Sequence, residues 1–339
     1  MPNRLSVPLT TQTMEAKSVA SIPQEDGWQF EPKWDGFRSL VFRLKNRVEL
    51  RSRNGTDLNR YFPEVVAMFA ALPVSQFVLD GELIIADSSF DTLQQRLHPA
   101  ASRVARLSKE TPATFEAFDC LMDDAGRSLL AKPLSERRTA LEALFKRFGR
   151  RVKRLRLSDY TRSAKTARGW LDKSGDALDG VVGKRLDDPY RSGERAMIKI
   201  KKRRTADCVV GGFRYGTGTR EVGSLLLGLY NSDGKLDHVG FTSGIPKADR
   251  PALTRKLKPL IQPPGFTGNS PGAPSRWSTE RSAAWEPLKP TLVVEVEFDQ
   301  VTNDRFRHGT TLVRWRPDKK PRQCTFEQLD QKAARQKPV

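Results

Sequence analysis

The sequence predicts a protein of two domains, a mixed α/β domain followed by an all-β domain. Three observations support this prediction. The chain has 339 residues, which is long for one domain and enough for two hydrophobic cores. Strand-like and helix-like segments alternate from residue 27 to about residue 204. After the basic run 199–204, the pattern changes to β-rich stretches separated by glycine turns.

The first domain is predicted to begin with an irregular lead-in over residues 1–25 and a strand at 27–30. Further segments rich in β-branched and aromatic residues are predicted as strands: 38–44, 47–52, 77–83, 114–121, 180–184 and 196–201. Segments predicted as helices, two of them from apolar residues at helical spacing, are 61–72, 135–148 and 161–174. This alternation predicts an α/β region with a mixed sheet.

The second domain is predicted to be a small closed β-barrel. Residues 206–245 contain three β-rich stretches, and two more follow around 292–301 and 310–317. Between them, residues 262–290 are rich in Pro and Gly and predict a long loop. A short helix is predicted at 325–335. Five strands in such a length are typical of an OB-fold, so we predict domains at 1–204 and 205–339.

The composition indicates a nucleic-acid partner. Lys and Arg outnumber Asp and Glu by 59 to 40, which gives a net charge of +19 and an isoelectric point near 10.1. No apolar stretch approaches the roughly 18 residues of a membrane span, and the N-terminus has no export signal. Three separated cysteines and three histidines argue against a disulfide framework or a zinc site. We expect a soluble cytoplasmic protein of the bacterial cytosol and nucleoid that does not bind membranes.

Charged residues near strand ends are the candidates for chemistry. The segment from Glu31 to Arg38 places Lys33 where a strand meets a turn, and a lysine amine becomes a nucleophile when its surroundings favour the uncharged form. Asp80 and Glu82 are two residues apart, so both are expected on one face of a strand, where carboxylates suit a magnesium ion or a ribose hydroxyl. Lys199 and Lys201 similarly share a face and predict an anion site.

In their order along the chain, these pieces resemble the motifs of ATP-dependent DNA ligases, and the second domain is most similar to the small bacterial DNA ligase C type. The resemblance covers about residues 27–330. Its motifs are KWDG at 33–36, SRNG at 52–55, DGEL at 80–83, FEAFD at 115–119, DGVVGK at 179–184, KIK at 199–201 and RPDK at 316–319. The family has a nucleotidyltransferase domain followed by an OB-fold domain.

Membership of this family implies three steps. Lys33 attacks the α-phosphorus of ATP and forms a lysyl-adenylate, AMP passes to the 5′-phosphate of a nick in duplex DNA, and the 3′-hydroxyl then displaces AMP. Phosphoryl transfer of this kind requires charge neutralisation more than proton chemistry. The resemblance therefore implies ATP as a substrate, Mg²⁺ (or Mn²⁺) as the metal and nicked duplex DNA as the partner of a monomer. Repair proteins that recruit the enzyme are possible partners that the sequence does not identify.

The resemblance also assigns roles to individual residues. Glu31 reads the adenine amino group, and Phe118 stacks on the adenine ring. Arg38 and Glu82 are implied to bind the ribose or nearby phosphates, and Arg53 to bind the 5′-phosphate of the nick. Lys199 and Lys201 are implied to bind the α-phosphate, with Lys184 nearby. Arg316 and Lys319 are implied to bind the departing pyrophosphate. Metal-binding positions are Asp80, Glu82 and Asp179. Many family members have Glu where this chain has Asp179, so the shorter side chain reaches the metal directly or through a water.

Three alternative functions remain open at the level of sequence. An mRNA-capping guanylyltransferase shares the lysine motif, although Glu31 and the second domain favour ATP and DNA. An RNA ligase of the same superfamily is open because no residue shows whether 2′-hydroxyls are tolerated. A non-catalytic OB-type DNA-binding protein is disfavoured by the intact Lys33 and Glu82. The basic runs 146–156 and 199–204 are candidates for contact with DNA phosphates.

Overall fold

The computed structural model describes residues 5–86, 88, 90–148, 152–173, 178–272 and 284–329. The chain divides into two compact units, residues 1–202 and 203–339. The sequence placed this boundary at Arg204, where a strand of the second unit begins. Parts of five predicted features lie outside the described residues: the lead-in 1–25, the basic run 146–156, the helix 161–174, the loop 262–290 and the helix 325–335.

The first unit contains nine strands and five α-helices within the described residues. The strands are β1 (Ala16–Ser18), β2 (Trp28–Trp34), β3 (Phe37–Leu44), β4 (Arg47–Ser52), β5 (Gln76–Ile84), β6 (Thr114–Met122), β7 (Leu155–Leu157), β8 (Leu178–Arg185) and β9 (Met197–Ile200). The helices are α1 (Pro63–Ala70), α2 (Phe90–Gln94), α3 (Ala101–Glu110), α4 (Leu134–Phe148) and α5 (Ala164–Asp172), with a 3-10 turn at Asn59–Tyr61.

These strands form two mixed sheets. One has the order β1-β9-β8-β2 and the other β4-β3-β5-β6-β7. Strand β3 is buried on both faces. Val41 packs in a core with α1 and α4, while Leu40 and Phe42 pack in a second core that also contains Tyr190 and Met197, the first residue of β9. Because alternate side chains point to opposite faces of a strand, this one strand joins two cores.

Several short elements of the first unit differ from the sequence-based prediction. Residues 16–18, predicted as part of an irregular lead-in, form β1 and pair in parallel with β9. Strand β7 and helices α2 and α3 were not predicted. The α3 segment buries only Val104 and Leu107, so its apolar stripe is too short for periodicity to indicate a helix.

The second unit consists mostly of strands: β10 (Arg204–Tyr215), β11 (Val222–Tyr230), β12 (Leu236–Thr242), β13 (Glu286–Pro287), β14 (Val293–Phe298), β15 (Val301–Thr302), β16 (Arg305–Phe306) and β17 (Thr311–Trp315). Helix α6 (Arg250–Leu257), which was not predicted, packs on the barrel through Leu253 and Leu257. Short 3-10 turns lie at Lys247–Asp249, Lys258–Leu260, Pro321–Gln323 and Phe326–Leu329.

The main sheet of the second unit closes on itself. Its order is β12-β11-β10-β14-β17, and an isolated bridge joins Thr242, the last residue of β12, to Thr310, the residue just before β17. Closure satisfies the backbone groups that an open sheet would leave at its edges. The fold class predicted from sequence, α/β followed by a mainly β domain, is confirmed. Among the described residues, no helix is long and apolar enough to cross a membrane.

Candidate active site

A cavity of about 520 Å³ lies in the first unit and is lined by residues from both of its sheets. It brings together residues that are far apart in sequence. The predicted site residues that line it are Glu31, Lys33, Arg38, Arg53, Glu82, Phe118, Lys184 and Lys199. Asp80, Asp179 and Lys201 do not line it, although Asp179 forms ion pairs with both Lys33 and Lys201.

Lys33 lies near the end of β2, opposite Gly180 of β8. Its Nζ is 2.5 Å from Oδ2 of Asp179, and the same oxygen is 3.0 Å from Nζ of Lys201. Gly180 has φ +139° and a Cβ there would lie 2.1 Å from the carbonyl oxygen of Ile200. Only glycine therefore lets β8 approach the end of β9 closely enough to place Lys201 beside Asp179.

Glu31 is held by two neighbours on the same sheet face. Its Oε1 accepts a hydrogen bond of 2.8 Å from Nε2 of Gln29, and its Oε2 is 2.7 Å from Nζ of Lys184. The Lys184 ammonium also lies 4.6 Å from the centre of the Phe118 ring, and the Arg38 guanidinium lies 4.4 Å from it. Lys184 was expected beside Lys199 and Lys201, but its ammonium contacts Glu31 and Phe118.

Asp80 is fully buried and does not have the free oxygen that a metal ligand requires. Its two oxygens accept hydrogen bonds of 2.6 and 2.7 Å from Arg38, and Tyr190 donates its hydroxyl hydrogen to Oδ2 at 2.6 Å. Burial lowers the pKa of Arg38, but the Asp80 carboxylate outweighs burial and raises it. Asp80 does not line the cavity and instead holds Arg38 at the cavity wall, so these contacts do not support a metal-binding role for Asp80, which stays a prediction.

The electrostatics of the cavity are set by burial and by clustered cations. Burial raises the pKa of Glu82 to about 7, although the Arg38 and Lys33 charges lower it. Burial and repulsion by Lys33 and Lys201 lower the pKa of Lys199. A site with several cations and few carboxylates is suited to a polyphosphate.

The described residues contain no cluster of three or more His, Cys, Asp or Glu that could by itself hold a metal ion. Mg²⁺ at phosphate sites is usually held by one or two carboxylates together with substrate phosphates and water. Glu82 lines the cavity and Asp179 pairs with Lys33, so these two carboxylates fit that donor set.

The N-terminal segment contributes to the cavity wall, a role that was not predicted from sequence. Residues 13–18 line the cavity, and Glu15 lies 3.7 Å from both Arg53 and Arg195. The backbone N–H of Met14 donates to the Tyr190 hydroxyl at 3.0 Å, which fixes the segment. No periodic signal marks this segment, since its strand β1 has only three residues.

Arg316 and Lys319 lie in the second unit, in the turn after β17. Arg316 contacts Asp207 at 2.8 Å and Asp318 at 2.8 Å, and Nζ of Lys319 lies 3.2 Å from Asp207. The hydrogen bond to Asp318 and the Asp207 charge raise the pKa of Arg316. The two cations are thus held together through Asp207, and both are partly exposed.

A cationic cavity that contains Lys33, in a chain whose second unit is a β-barrel, fits the nucleotidyltransferase and OB-fold domains that the resemblance implied. Comparison with known families specifies the class further. Residues 9–201 match the family model for the ATP dependent DNA ligase domain, and residues 218–319 match the model for the ATP dependent DNA ligase C terminal region. The chain belongs to the ATP-dependent DNA ligases.

Individual relatives are similar over nearly the whole chain. The chain is 43% identical to DNA ligase C1 of Mycolicibacterium smegmatis, over 94% of this chain and 93% of the relative, and 42% identical to DNA ligase C of Mycobacterium tuberculosis over the same shares. A solved structure of a Lig E DNA ligase has a TM-score of 0.57 and 18% identity, covering 89% of this chain and 100% of its own, which shows the shared fold.

These similarities decide between the functions that the sequence left open. The protein is an ATP-dependent DNA ligase, an enzyme whose relatives include the DNA ligase C type. A capping guanylyltransferase, an RNA ligase and a non-catalytic DNA-binding protein are not favoured. The predicted resemblance is confirmed at the level of the family and of the two domains.

Proposed function

We propose that Lys33 is the nucleophile that takes AMP from ATP. The observation that carries this proposal is the position of its amine in the cavity, 2.5 Å from Asp179 and grouped with Lys199 and Lys201. In the first step, the Lys33 ammonium gives one proton to solvent and becomes an amine, the amine nitrogen bonds to the α-phosphorus while the bond from phosphorus to pyrophosphate breaks, and the nitrogen then gives a second proton to solvent. The neighbouring lysines stabilise charge that develops on the α-phosphate oxygens.

In the next two steps the nucleotide is passed to DNA and released. An oxygen of the 5′-phosphate at a nick attacks the adenylate phosphorus, and the bond to Lys33 breaks. The 3′-hydroxyl then attacks the 5′-phosphate and AMP leaves. We propose that Arg53, which lines the cavity with 61% of its side chain exposed, holds the 5′-phosphate. Its exposure is what a contact with an incoming macromolecule requires.

The remaining cavity residues bind the nucleoside. We propose that Glu31 accepts a hydrogen bond from the adenine amino group and that Phe118 packs against the base. Arg38 and Glu82 lie directly opposite each other on β3 and β5, and both line the cavity. This cross-strand placement supports contact of this pair with the ribose or the adjoining phosphates.

The metal would be held by Glu82 and Asp179, with ATP phosphates and water completing its ligands. When bound, Mg²⁺ neutralises phosphate charge and orients the triphosphate. Asp179 has a further part in the nucleotide-free protein, because it balances the charges of Lys33 and Lys201. Lys199 and Lys201 then bind the α-phosphate when it enters.

The second unit is proposed to serve both ATP cleavage and DNA binding. Arg316 and Lys319 would stabilise the departing pyrophosphate, for which two clustered cations are suited. The net charge of +19 supports a duplex DNA substrate. We propose a monomer that acts on nicked DNA in the bacterial cytosol.

The test measures covalent labelling of the protein by ATP with its α-phosphate labelled, in the presence of Mg²⁺. Lys33→Ala should abolish labelling and sealing of ordinary nicks, but should still seal a nick that already carries a 5′-adenylate. Lys132→Ala removes an exposed lysine paired with Glu136 and should leave both reactions unchanged. Labelling of the Lys33→Ala protein at a normal rate would refute the assignment.

A further inference from the structure

Gln29 is a buried polar residue that does not line the cavity but contacts a residue that does. It is 1% exposed and lies two positions before Glu31 on β2, so both side chains point to the same face of the sheet. Lys184 lies directly opposite Gln29 on β8. The three side chains therefore form one cluster, in which one carboxylate oxygen of Glu31 contacts Gln29 and the other contacts Lys184.

This arrangement fixes the plane of the Glu31 carboxylate. The Gln29 amide donates to Oε1 at 2.8 Å and the Lys184 ammonium lies 2.7 Å from Oε2. An ammonium group is a compact charge whose donors rotate, so Lys184 alone would leave the carboxylate free to turn. The amide of Gln29 supplies the second fixed point, because its NH₂ group, and not its oxygen, must face the carboxylate.

We infer that Gln29 is a positioning residue that makes the site select adenine, acting through Glu31. A carboxylate paired with an ammonium accepts hydrogen bonds and does not donate them. Adenine presents a donating amino group at its 6-position, whereas guanine presents an accepting carbonyl oxygen there. A carboxylate held in one plane thus favours the amino group of adenine and repels the carbonyl oxygen of guanine. This inference rests on the proposed contact of Glu31 with the adenine amino group.

The consequence of losing Gln29 follows from its burial. Without the Gln29 amide, Oε1 of Glu31 no longer accepts a hydrogen bond from Gln29. The carboxylate is then free to turn toward Lys184. The amino group of ATP then meets an acceptor that is no longer aimed at it. The energy of that one hydrogen bond falls, while contacts with the ribose and phosphates remain. The effect is therefore specific to the 6-amino group.

The experiment removes the 6-amino group from the nucleotide and the Gln29 amide from the protein, each separately. Lysyl-adenylate formation is measured with ATP and with the triphosphate of purine riboside, which is ATP without its 6-amino group. The ratio of the two kcat/KM values is compared between the unaltered enzyme and Gln29→Met. The unaltered enzyme should prefer ATP by at least about tenfold, the worth of one hydrogen bond to a charged acceptor, and Gln29→Met should lose most of that preference. The ratio is independent of the folded fraction, because that fraction cancels.

The matched control is Gln76→Met. Gln76 is a partly buried glutamine of β5 whose amide donates to the Asp124 carbonyl at 3.1 Å, away from the cavity, so the preference for ATP should be unchanged. Gln29→Leu provides a second variant without a donor if Gln29→Met does not fold. An unchanged ratio in a folded Gln29 variant would overturn the inference. A ratio near one in the unaltered enzyme would instead overturn the adenine contact of Glu31, and with it the inference, while leaving Lys33 as the nucleophile.

Discussion

Lys33 and Asp179 form an ion pair of 2.5 Å between their Nζ and Oδ2 atoms. The Asp179 carboxylate is 5% exposed and also pairs with Lys201. It therefore partly neutralises two lysines that would otherwise repel each other. We propose that phosphate oxygens of ATP take over part of this task, so that the pair would link the charge balance of the nucleotide-free protein to the binding of ATP.

The first prediction concerns removal of this charge. Asp179→Asn keeps the shape of the side chain but leaves Lys33 and Lys201 without their counter-ion and removes a proposed metal ligand. We expect the rate of lysyl-adenylate formation at saturating ATP and Mg²⁺ to fall by roughly a hundredfold or more, typical of losing one charged group at a phosphoryl-transfer site. Asp172→Asn, at an exposed position at the end of α5, should leave the rate unchanged. Equal rates in both variants would show that Asp179 has no part in the reaction.

The second prediction concerns the Tyr190 hydroxyl. It donates to Asp80 and accepts from the Met14 amide, and thereby fixes both Arg38 and the N-terminal wall of the cavity. Tyr190→Phe should raise the KM for ATP several-fold and lower the free energy of unfolding by about 1–2 kcal/mol, because buried partners lose a hydrogen bond. Urea unfolding and the ATP dependence of labelling measure the two effects.

The control for that variant is Tyr160→Phe. Tyr160 is 38% exposed and lies over Arg138, outside the cavity, so its hydroxyl should be dispensable. A Tyr190→Phe enzyme with normal KM and normal stability would show that the hydroxyl does not hold Arg38 in place.

The third prediction concerns pH. Burial raises the pKa of Glu82 to about 7 from an ordinary value of 4.5. An acid with a raised pKa in the folded state favours folding when it is protonated, so its contribution is present below about pH 4.5 and is lost as the pH rises toward 7. Glu82→Gln removes the titration. The melting temperature of the variant minus that of the unaltered protein should therefore increase between pH 5 and pH 8, without nucleotide.

Glu116 provides an internal reference for this measurement. Burial raises its pKa to about 7 as well, and it is present in both proteins, so its effect cancels in the difference. A difference in melting temperature that does not change with pH would contradict the raised pKa of Glu82.

The fourth prediction concerns the second unit. Replacing Arg316 and Lys319 together by Ala should slow lysyl-adenylate formation by orders of magnitude, because their charge acts on the pyrophosphate that leaves in this step. Sealing of a pre-adenylated nick releases no pyrophosphate and should proceed at nearly the normal rate. Both reactions are measured on one preparation, so a loss of folded protein would affect them equally. Equal impairment would show that the two residues act on DNA or on the fold.

Much of this architecture could be predicted from sequence. The long helix α4 and the strands β3, β5 and β6 have strong apolar patterns, and burial of those patterns requires the predicted elements. Strand β1 could not be predicted, because three residues are too few to show a hydrophobic periodicity. The segment is held by pairing with β9 and by the hydrogen bond from Met14 to Tyr190.

The sequence by itself determined the two domains, the order of the motifs and the candidate residues Lys33, Glu31 and Lys199, since these depend on residue type and local spacing. Only the tertiary structure decided which candidates meet. Asp80 and Glu82 are two residues apart, yet Asp80 is enclosed by Arg38 and by Tyr190, 110 residues away along the chain, while Glu82 lines the cavity. The physical reason is that solvent access and charge partners come from distant strands that pack over a residue, and local sequence does not contain them.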